Sequence, residues 1–339
     1  MNVLFIGGTG NISSACSQLA LEAGFDLTLL NRGQSIRPTP QGVRLLHADV
    51  RDVDAVRRTL RGLRFDVVVD WIAFTPDQAQ RDLDLFRGRV NQYIFISSAS
   101  AYQKPLAQLP IVESTPLYNP FWQYSRDKIA CEDLLVQAYR TEGFPITIVR
   151  PSYTYDRMTI PLHGGYTVID RMRRGLPVIV HGDGTSIWVM THHLDFARGF
   201  TGLLGNPHAL GEAFHITSDE LLTWNEMYLT MARAAGVADP HLVHIPSEVI
   251  AHFDPVWGDG LLGDKAHSVI FDNSKIKRTV PTFKAVIPFA QGAREIMGWY
   301  DADPARRVVD PEFNLLTERL LDAFQSVTKN ISPGEQIGA

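Results

Sequence analysis

The sequence predicts an α/β protein built on a doubly wound parallel sheet, with a smaller, α-rich C-terminal lobe. Apolar runs alternate with amphipathic stretches through the first 150 residues, as in a parallel sheet covered by helices. The runs are almost continuously apolar, which is typical of strands buried on both faces. After Arg150 the alternation stops, and loop-rich and helical patterns follow.

The first half of the chain supplies six predicted strands and the helices between them. The strands are Asn2–Ile6, Asp26–Leu30, Val43–His47, Asp66–Asp70, Gln92–Ser97 and Pro145–Arg150. The helices are Ser14–Ala23, Val53–Leu60, Asp77–Phe86 and about Trp122 to Arg140. Residues 156–190 read as loops, 213–217 as one more strand, and Asn225–Ala235 and Glu312–Phe324 as helices.

A glycine-rich turn, GGTGNIS at residues 7–13, lies between the first strand and the first helix. Glycine lets the backbone approach a pyrophosphate closely, and the helix that follows points its positive dipole end at the same group. The context therefore predicts a Rossmann-type dinucleotide site. We expect it to be formed by Gly7, Thr9, Gly10, Asn11 and Ile12.

The side chains about 20 residues after the glycine turn help to determine whether NAD or NADP binds. Asn31 and Arg32 stand there. An acidic residue would favour NAD, and a nearby arginine can face the extra phosphate of NADP. Asn31 can bond a ribose hydroxyl in either case, and Arg32 can stack on adenine instead. These residues leave NAD and NADP open, and we favour NAD.

The stretch YSRDK places Tyr124 and Lys128 one helical turn apart. A neighbouring ammonium favours the phenolate and brings the phenol within range of acid–base chemistry. The strand before this helix ends in ISSAS, which puts the Ser98 hydroxyl at the edge where open α/β sheets bind ligands. These three groups suit hydride transfer at a secondary alcohol or ketone.

The ordered set of motifs resembles the extended short-chain dehydrogenase/reductase family, the NAD-dependent epimerase/dehydratase group. The set is GGTGNIS, HADVRD, VVDWIAF, FISSASAY, YSRDKIACEDLL, VRPSYTY, HGDGTS and GEAFHITSDELLTWNEM. The resemblance implies catalytic roles for Tyr124, Lys128 and Ser98, and a bond from Lys128 to the nicotinamide ribose. It implies further cofactor contacts at Asp49, Val50, Ile72, Ala73, Pro151 and Tyr153. It also suggests a homodimer.

Departures from the family pattern reduce the number of reaction types and substrates that this sequence supports. Ala99 and Ser100 stand where 4,6-dehydratases carry an Asp-Glu pair, which argues against dehydration. Trp188 and Leu261-Leu262 stand where nucleotide-sugar epimerases carry arginines for the pyrophosphate. We therefore expect a sugar or sugar derivative as substrate, bound by Ser98, Ser100, Tyr102 and Trp188. An epimerase is favoured over a dehydrogenase or reductase. The alternative is a non-catalytic dinucleotide-sensing or RNA-associated protein.

Composition excludes several other classes. A formal charge of −5 over 339 residues argues against nucleic acid and anionic membranes as partners. No apolar run approaches the roughly 18 residues that span a bilayer. The two cysteines fit a reducing cytosol, so a cytoplasmic protein is expected. His192-His193 lacks acidic or cysteine partners at ligand spacing, so we expect no metal.

These assignments divide the chain into two predicted domains. Residues 1–157, with about 190–222, are assigned to the dinucleotide-binding domain. Residues 158–189 and 223–330 are assigned to a substrate-binding lobe, and 331–339 to a frayed tail.

Overall fold

A computed structural model describes residues 1–330; the tail predicted at 331–339 lies outside the described residues. The strands are β1 (Asn2–Ile6), β2 (Asp26–Asn31), β3 (Arg44–His47), β4 (Val67–Asp70), β5 (Gln92–Ile96), β6 (Ile146–Pro151), β7 (Tyr153–Tyr155), β8 (Val178–His181), β9 (Ile187–Trp188), β10 (Met190–His192), β11 (Ala213–Ile216), β12 (Leu222–Thr223) and β13 (Leu242–Ile245). The helices are α1 (Ser13–Glu22), α2 (Val53–Thr59), α3 (Pro76–Phe86), α4 (Gln123–Glu142), α5 (Tyr166–Arg173), α6 (His193–Thr201), α7 (Trp224–Ala234), α8 (Ser247–Phe253), α9 (Pro255–Gly260), α10 (Ser274–Thr279), α11 (Phe289–Asp301) and α12 (Pro311–Asn330).

Across residues 1–330, one large sheet has seven strands in the order β11-β6-β5-β4-β1-β2-β3. All its pairings are parallel. The strand order reverses between β1 and β4, which opens a crevice at the carboxyl ends of those strands, where sheets of this class bind ligands. The predicted doubly wound parallel sheet is confirmed.

Both faces of the sheet are buried, because strand side chains alternate between the two faces. In β1, Val3 and Phe5 join a cluster with Phe196 and Phe200 of α6. Leu4 and Ile6 join a separate cluster on the other face, with Leu83 of α3 and Leu135 of α4. This two-sided burial explains why the strands read as continuous apolar runs.

The chain forms two compact units. The first comprises Met1–Asp156, Val189–Leu221 and Val269–Phe289; the second comprises Arg157–Trp188, Leu222–Ser268 and the described chain from Ala290. The second unit has its own apolar cluster, which includes Ile179 of β8, Ile245 of β13 and Leu320 of α12. The ligand roles predicted for the two domains stay predictions.

One boundary of the sequence-based division differs from the structure. Residues 269–289 were assigned to the second lobe, yet they belong to the first unit. Phe271 forms a β-bridge with Ile111, and the Asn273 amide donates to the Thr217 carbonyl oxygen at 3.1 Å. Ile276 of α10 is fully buried in the core of the first unit. These contacts join residues far apart in the chain, so local patterns give no sign of them.

Residues 156–190 contain more regular structure than the loops predicted there. Helix α5 begins directly after Gly164-Gly165, and β8 and β9 follow. Glycines with positive φ at 165, 175, 182 and 184 separate these short elements, which hides their periodicity in the sequence.

Candidate active site

The glycine turn has the backbone shape that a pyrophosphate requires. Gly7 and Gly8 have φ values of +100° and +89°, and a Cβ at Gly8 would lie 2.5 Å from Leu29 Cδ2. Helix α1 then begins at Ser13, with no acidic side chain and no capping side chain in its first turn. Its first backbone amides and positive dipole end can therefore receive an anion, so this turn fits a dinucleotide pyrophosphate.

The turn opens into a cleft of about 570 Å³ at the carboxyl ends of β1, β2 and β4. Eight residues predicted to bind the cofactor line it: Gly7, Thr9, Gly10, Asn31, Arg32, Asp49, Val50 and Ile72. Gly8, Ser13, Gln34, Ser35, Arg51, Trp71, Phe74 and Gln78 are among the residues that complete its walls. The Ser35 hydroxyl donates to the Thr9 carbonyl oxygen at 3.0 Å, so the segment after β2 lies against the glycine turn.

One end of the cleft carries a group of charged side chains. The Arg51 guanidinium pairs with both carboxylate oxygens of Asp49, at 2.6 Å for the shortest contact. Arg32 lies 4.0 Å from the same carboxylate. The hydrogen bonds from Arg51 hold the pKa of Asp49 well below its ordinary value, so Asp49 stays ionised. Asn31 Oδ1 accepts from the Gly33 amide at 2.9 Å, which fixes the end of β2.

A buried ion network supports two walls of the cleft. Arg81 of α3 donates to the Val50 carbonyl oxygen at 3.3 Å and to Asp70 Oδ2 at 3.0 Å. The other carboxylate oxygen of Asp70 accepts from the Ile72 amide at 2.6 Å. Arg81 also pairs with the buried Asp82. A single guanidinium thus connects Val50 on one wall to Ile72 on the other.

Lys128 projects from α4 into a fully buried position. Its ammonium donates to the carbonyl oxygens of Ala73 and Ile96, both at 2.7 Å. It also lies 4.5 Å from the centroid of the Phe74 ring and 5.9 Å from that of Tyr124. Burial lowers the pKa of Lys128 from 10.5 to about 8. Two of the three N–H groups of the ammonium are satisfied by carbonyls, and the charge lies close to the phenol ring.

Tyr124 is half-buried at the start of α4, within a group of aromatic rings. Its ring centroid lies 4.8 Å from that of Trp122 and 6.4 Å from that of Phe74. Phe74 is 44% exposed and lines the cleft, so the Tyr124 ring lies one aromatic ring away from the cleft wall. The structure thus brings together Tyr124, Lys128 and the predicted cofactor cleft.

Ser98 belongs to a chain of hydroxyl groups that continues to helix α4. The Ser98 and Ser100 hydroxyls are 2.9 Å apart, and the Ser125 hydroxyl donates to Ser100 Oγ at 2.8 Å. Ser98 is partly exposed, whereas Ser100 and Ser125 are buried. Ser125 was missed in the sequence, where its place beside Tyr124 and its small polar side chain were the available signal.

Asn119 was also missed, and it connects this hydroxyl chain to the start of α4. Its amide nitrogen donates to the Ser100 carbonyl oxygen at 2.9 Å. Its oxygen accepts from the Phe121 and Trp122 amides at 3.2 and 3.1 Å. Asn119 therefore fixes the helix entry that carries Tyr124.

The remaining predicted cofactor residues lie outside the cleft lining given above, at the ends of neighbouring elements of the first unit. Ile12 precedes α1, Ala73 follows β4, and Pro151 and Tyr153 belong to β6 and β7. The Asn11 amide nitrogen donates to the Thr154 carbonyl oxygen at 2.7 Å, while its buried oxygen has no hydrogen-bond partner. A buried acceptor without a partner beside the glycine turn is consistent with a ligand donor at that point.

Three predicted substrate contacts are buried. Trp188 is 1% exposed and packs on Trp224 at 5.5 Å between ring centroids. Tyr102 is fully buried, with its hydroxyl 3.0 Å from His215 Nδ1, and Ser100 is 2% exposed. None of the three presents appreciable surface in this structure, and direct contact of Ser100, Tyr102 and Trp188 with substrate stays a prediction.

Residues 1–330 show neither a membrane-spanning helix nor a metal-binding cluster. No helix there is long and apolar enough to cross a membrane. No group of three or more His, Cys, Asp or Glu side chains in the same residues could hold a metal ion.

The fold and the glycine turn define a Rossmann-type α/β protein. The family model for the NAD dependent epimerase/dehydratase family matches residues 3–217. The chain belongs to this family.

Two curated proteins are similar to this chain over most of its length. The chain is 28% identical over 256 residues to the chloroplast stem-loop binding protein of 41 kDa b of Arabidopsis thaliana, covering 71% of this chain and 65% of that protein. It is 27% identical over 240 residues to the 2'-dehydrokanamycin reductase of Streptomyces kanamyceticus, covering 70% of this chain and 67% of the reductase. The chain thus spans about two thirds of the length of each of these two relatives.

A solved structure shows the same fold. The UDP-glucose 4-epimerase of Bifidobacterium longum, in complex with NAD+ and UDP, superposes with a TM-score of 0.72. The sequences are 19% identical, and the match covers 90% of this chain and 99% of that chain. At this identity the similarity establishes the fold alone.

Proposed function

We propose that this protein transfers a hydride between a nicotinamide dinucleotide and a carbon that bears a secondary hydroxyl group in a sugar or sugar derivative. The carrying observation is the buried Lys128 ammonium, 5.9 Å from the centre of the Tyr124 ring and beside the wall of a glycine-turn cleft. A phenol near a fixed positive charge is suited to exchanging the hydroxyl proton of such a substrate.

Different residues of the chain would bind the different parts of the cofactor. The nicotinamide of the bound cofactor would accept or return the hydride. Gly7, Thr9, Gly10, Asn11 and Ile12 would hold the pyrophosphate. Asn31, Arg32, Asp49 and Val50 would hold the adenosine. Ile72, Ala73, Pro151 and Tyr153 would border the nicotinamide half, and the third N–H of Lys128 would bond its ribose.

At the substrate, three side chains would act on one oxygen atom. Tyr124 would take the hydroxyl proton in oxidation and return it in reduction. Lys128 would stabilise the phenolate that forms. Ser98 would donate a hydrogen bond to the same oxygen, and the buried Ser100 and Ser125 hydroxyls would orient Ser98.

The reaction type has two candidates. In an epimerase, which the sequence favours, the bound cofactor would return the hydride to the opposite face of the same carbon. In a reductase, the cofactor would leave after each turnover. The name of the 2'-dehydrokanamycin reductase supports the second candidate and a glycoside substrate. The buried, uncharged Trp188 and Leu261 also support a substrate without a nucleotide, since neither can clamp a pyrophosphate.

A non-catalytic role is the alternative, and the name of the chloroplast stem-loop binding protein favours it. A net charge of −5 weakens this alternative because phosphate contacts dominate nucleic-acid affinity. A buried lysine beside a tyrosine would also have no evident use in a protein that only binds nucleic acid.

The experiment incubates purified protein with NAD+ or NADP+ and with free sugars, glycosides and nucleotide sugars in turn. Products are followed by NMR, and cofactor reduction by the absorbance of reduced nicotinamide. Inverted stereochemistry without net cofactor change supports an epimerase, and stoichiometric cofactor change supports a reductase. Absence of dinucleotide binding, together with tight binding of stem-loop RNA, would overturn the proposal.

A further inference from the structure

We infer that the charged end of the cleft selects the 2′-phosphorylated dinucleotide, NADP, over NAD, and that Arg32 and Arg51 provide this selectivity. The inference rests on the proposed function only in assuming that a dinucleotide occupies the cleft. It departs from the sequence-based preference for NAD, because the structure adds Arg51 and the charge balance of the cleft walls.

The end of β2 offers no carboxylate to the adenosine ribose. The segment from Leu30 to Gln34 contains no acidic residue. A carboxylate at this position would accept hydrogen bonds from the ribose hydroxyls of NAD and would repel a 2′-phosphate. Asn31 is neutral, and its oxygen already accepts from the Gly33 amide.

The charge balance of the cleft favours an added anion. Among the lining residues found within the described part of the chain, the charged ones are Arg32, Arg51 and Asp49. Two guanidinium groups against one carboxylate leave one positive charge in excess. A phosphate monoester carries close to two negative charges at neutral pH, so the excess positive charge stabilises its binding. An unmodified ribose carries no charge and is not stabilised in this way.

Asp49 orients Arg51 and lies close to Arg32. It pairs with both nitrogens on one side of the Arg51 guanidinium and lies 4.0 Å from Arg32. The Arg51 guanidinium is therefore fixed by Asp49, the Arg32 guanidinium lies near the same carboxylate, and 53% and 73% of the Arg32 and Arg51 side chains stay accessible to solvent. Arginine presents several N–H donors in a planar fork, so each can reach a phosphate oxygen while keeping its contact with Asp49.

The test measures binding rather than turnover. Isothermal titration calorimetry compares NADP+ with NAD+, and the fragment 2′,5′-ADP with 5′-ADP. The wild type should bind the 2′-phosphorylated member of each pair at least about tenfold more tightly, and added salt should reduce this preference. R32Q and R51Q should each weaken NADP+ binding by about tenfold more than they weaken NAD+ binding.

R58Q, at an exposed arginine on α2 outside the cleft lining, is the matched control and should change neither affinity. Equal affinity for NADP+ and NAD+, or tighter NAD+ binding, overturns this inference and leaves the proposed function intact. An unchanged NADP+ preference in the R32Q/R51Q double variant overturns the assignment to these arginines. Failure of the folded wild type to bind either dinucleotide overturns both proposals.

Discussion

The ammonium of Lys128 lies 5.9 Å from the centroid of the Tyr124 ring while it donates to the carbonyl oxygens of Ala73 and Ile96. One carbonyl follows β4 and the other ends β5, so the two strands fix the charge beside the phenol. The position of this charge is set by the sheet as well as by the spacing of the two residues on α4.

Lys128 predicts a specific dependence of stability on pH. The folded chain loses this proton near pH 8, whereas the unfolded chain keeps it to about 10.5. Between those values the unfolded chain binds more protons, so folding becomes more favourable as pH rises, by up to about 3 kcal/mol. Urea unfolding of the wild type and K128M from about pH 7 to 9.5 should show about 2 kcal/mol of this gain in the wild type only. A difference between the two proteins that stays constant with pH would contradict the prediction.

Gly8 and Gly10 should respond differently to alanine. At Gly8 the positive φ and the 2.5 Å approach to Leu29 predict a loss of more than about 1 kcal/mol of unfolding free energy in G8A. At Gly10 a Cβ meets only the Ser13 hydroxyl oxygen, at 3.2 Å, so G10A should change stability by less than about 1 kcal/mol. G10A should nevertheless weaken dinucleotide binding by at least about tenfold, since a methyl group obstructs the pyrophosphate. Chemical denaturation and calorimetry measure both effects; wild-type affinity in G10A would count against the pyrophosphate site.

Asn119 should stabilise the entry to α4. N119A removes the acceptor for the Phe121 and Trp122 amides and the donor to Ser100, and should cost about 1–2 kcal/mol of unfolding free energy. N119D keeps the acceptor and should recover part of this loss. Equal stability of N119A and the wild type in chemical denaturation would show that Asn119 does not fix the helix entry.

Arg81 should be essential for stability. R81L leaves the buried carboxylates of Asp70 and Asp82 without their cation, and we expect a loss of about 3–5 kcal/mol. R87L is the matched control at the end of the same helix. Arg87 forms a half-exposed ion pair with Glu142, so its loss should cost less than about 1 kcal/mol. Similar losses in the two variants, measured by urea unfolding, would be inconsistent with the buried network.

The sequence carried most of the information about the sheet. Strands such as β1 and β6 are buried on both faces, and their apolar runs identify them without tertiary information. The glycine turn and the Tyr124–Lys128 spacing could also be predicted, because each depends on residues close together in the chain.

Features that depend on contacts between distant segments could not be predicted. Arg81 reaches Val50 and Asp70 from a different element, and this geometry exists only once α3 has packed on the sheet. The sequence predicted Trp188 as a substrate contact but gave no sign that its ring is buried against Trp224. In both cases the residue type indicated what the side chain could bind. Its actual neighbours depend on how distant elements pack together.

The most direct test of the account is hydride transfer in a single turnover by Y124F, with cofactor affinity measured on the same protein. The rate of change in nicotinamide absorbance should fall by at least about 100-fold while cofactor affinity stays within about twofold of the wild type. Y118F, at an exposed tyrosine six residues earlier, should react like the wild type. A Y124F rate within about threefold of the wild-type rate would contradict the central claim that the Tyr124 phenol exchanges the substrate proton.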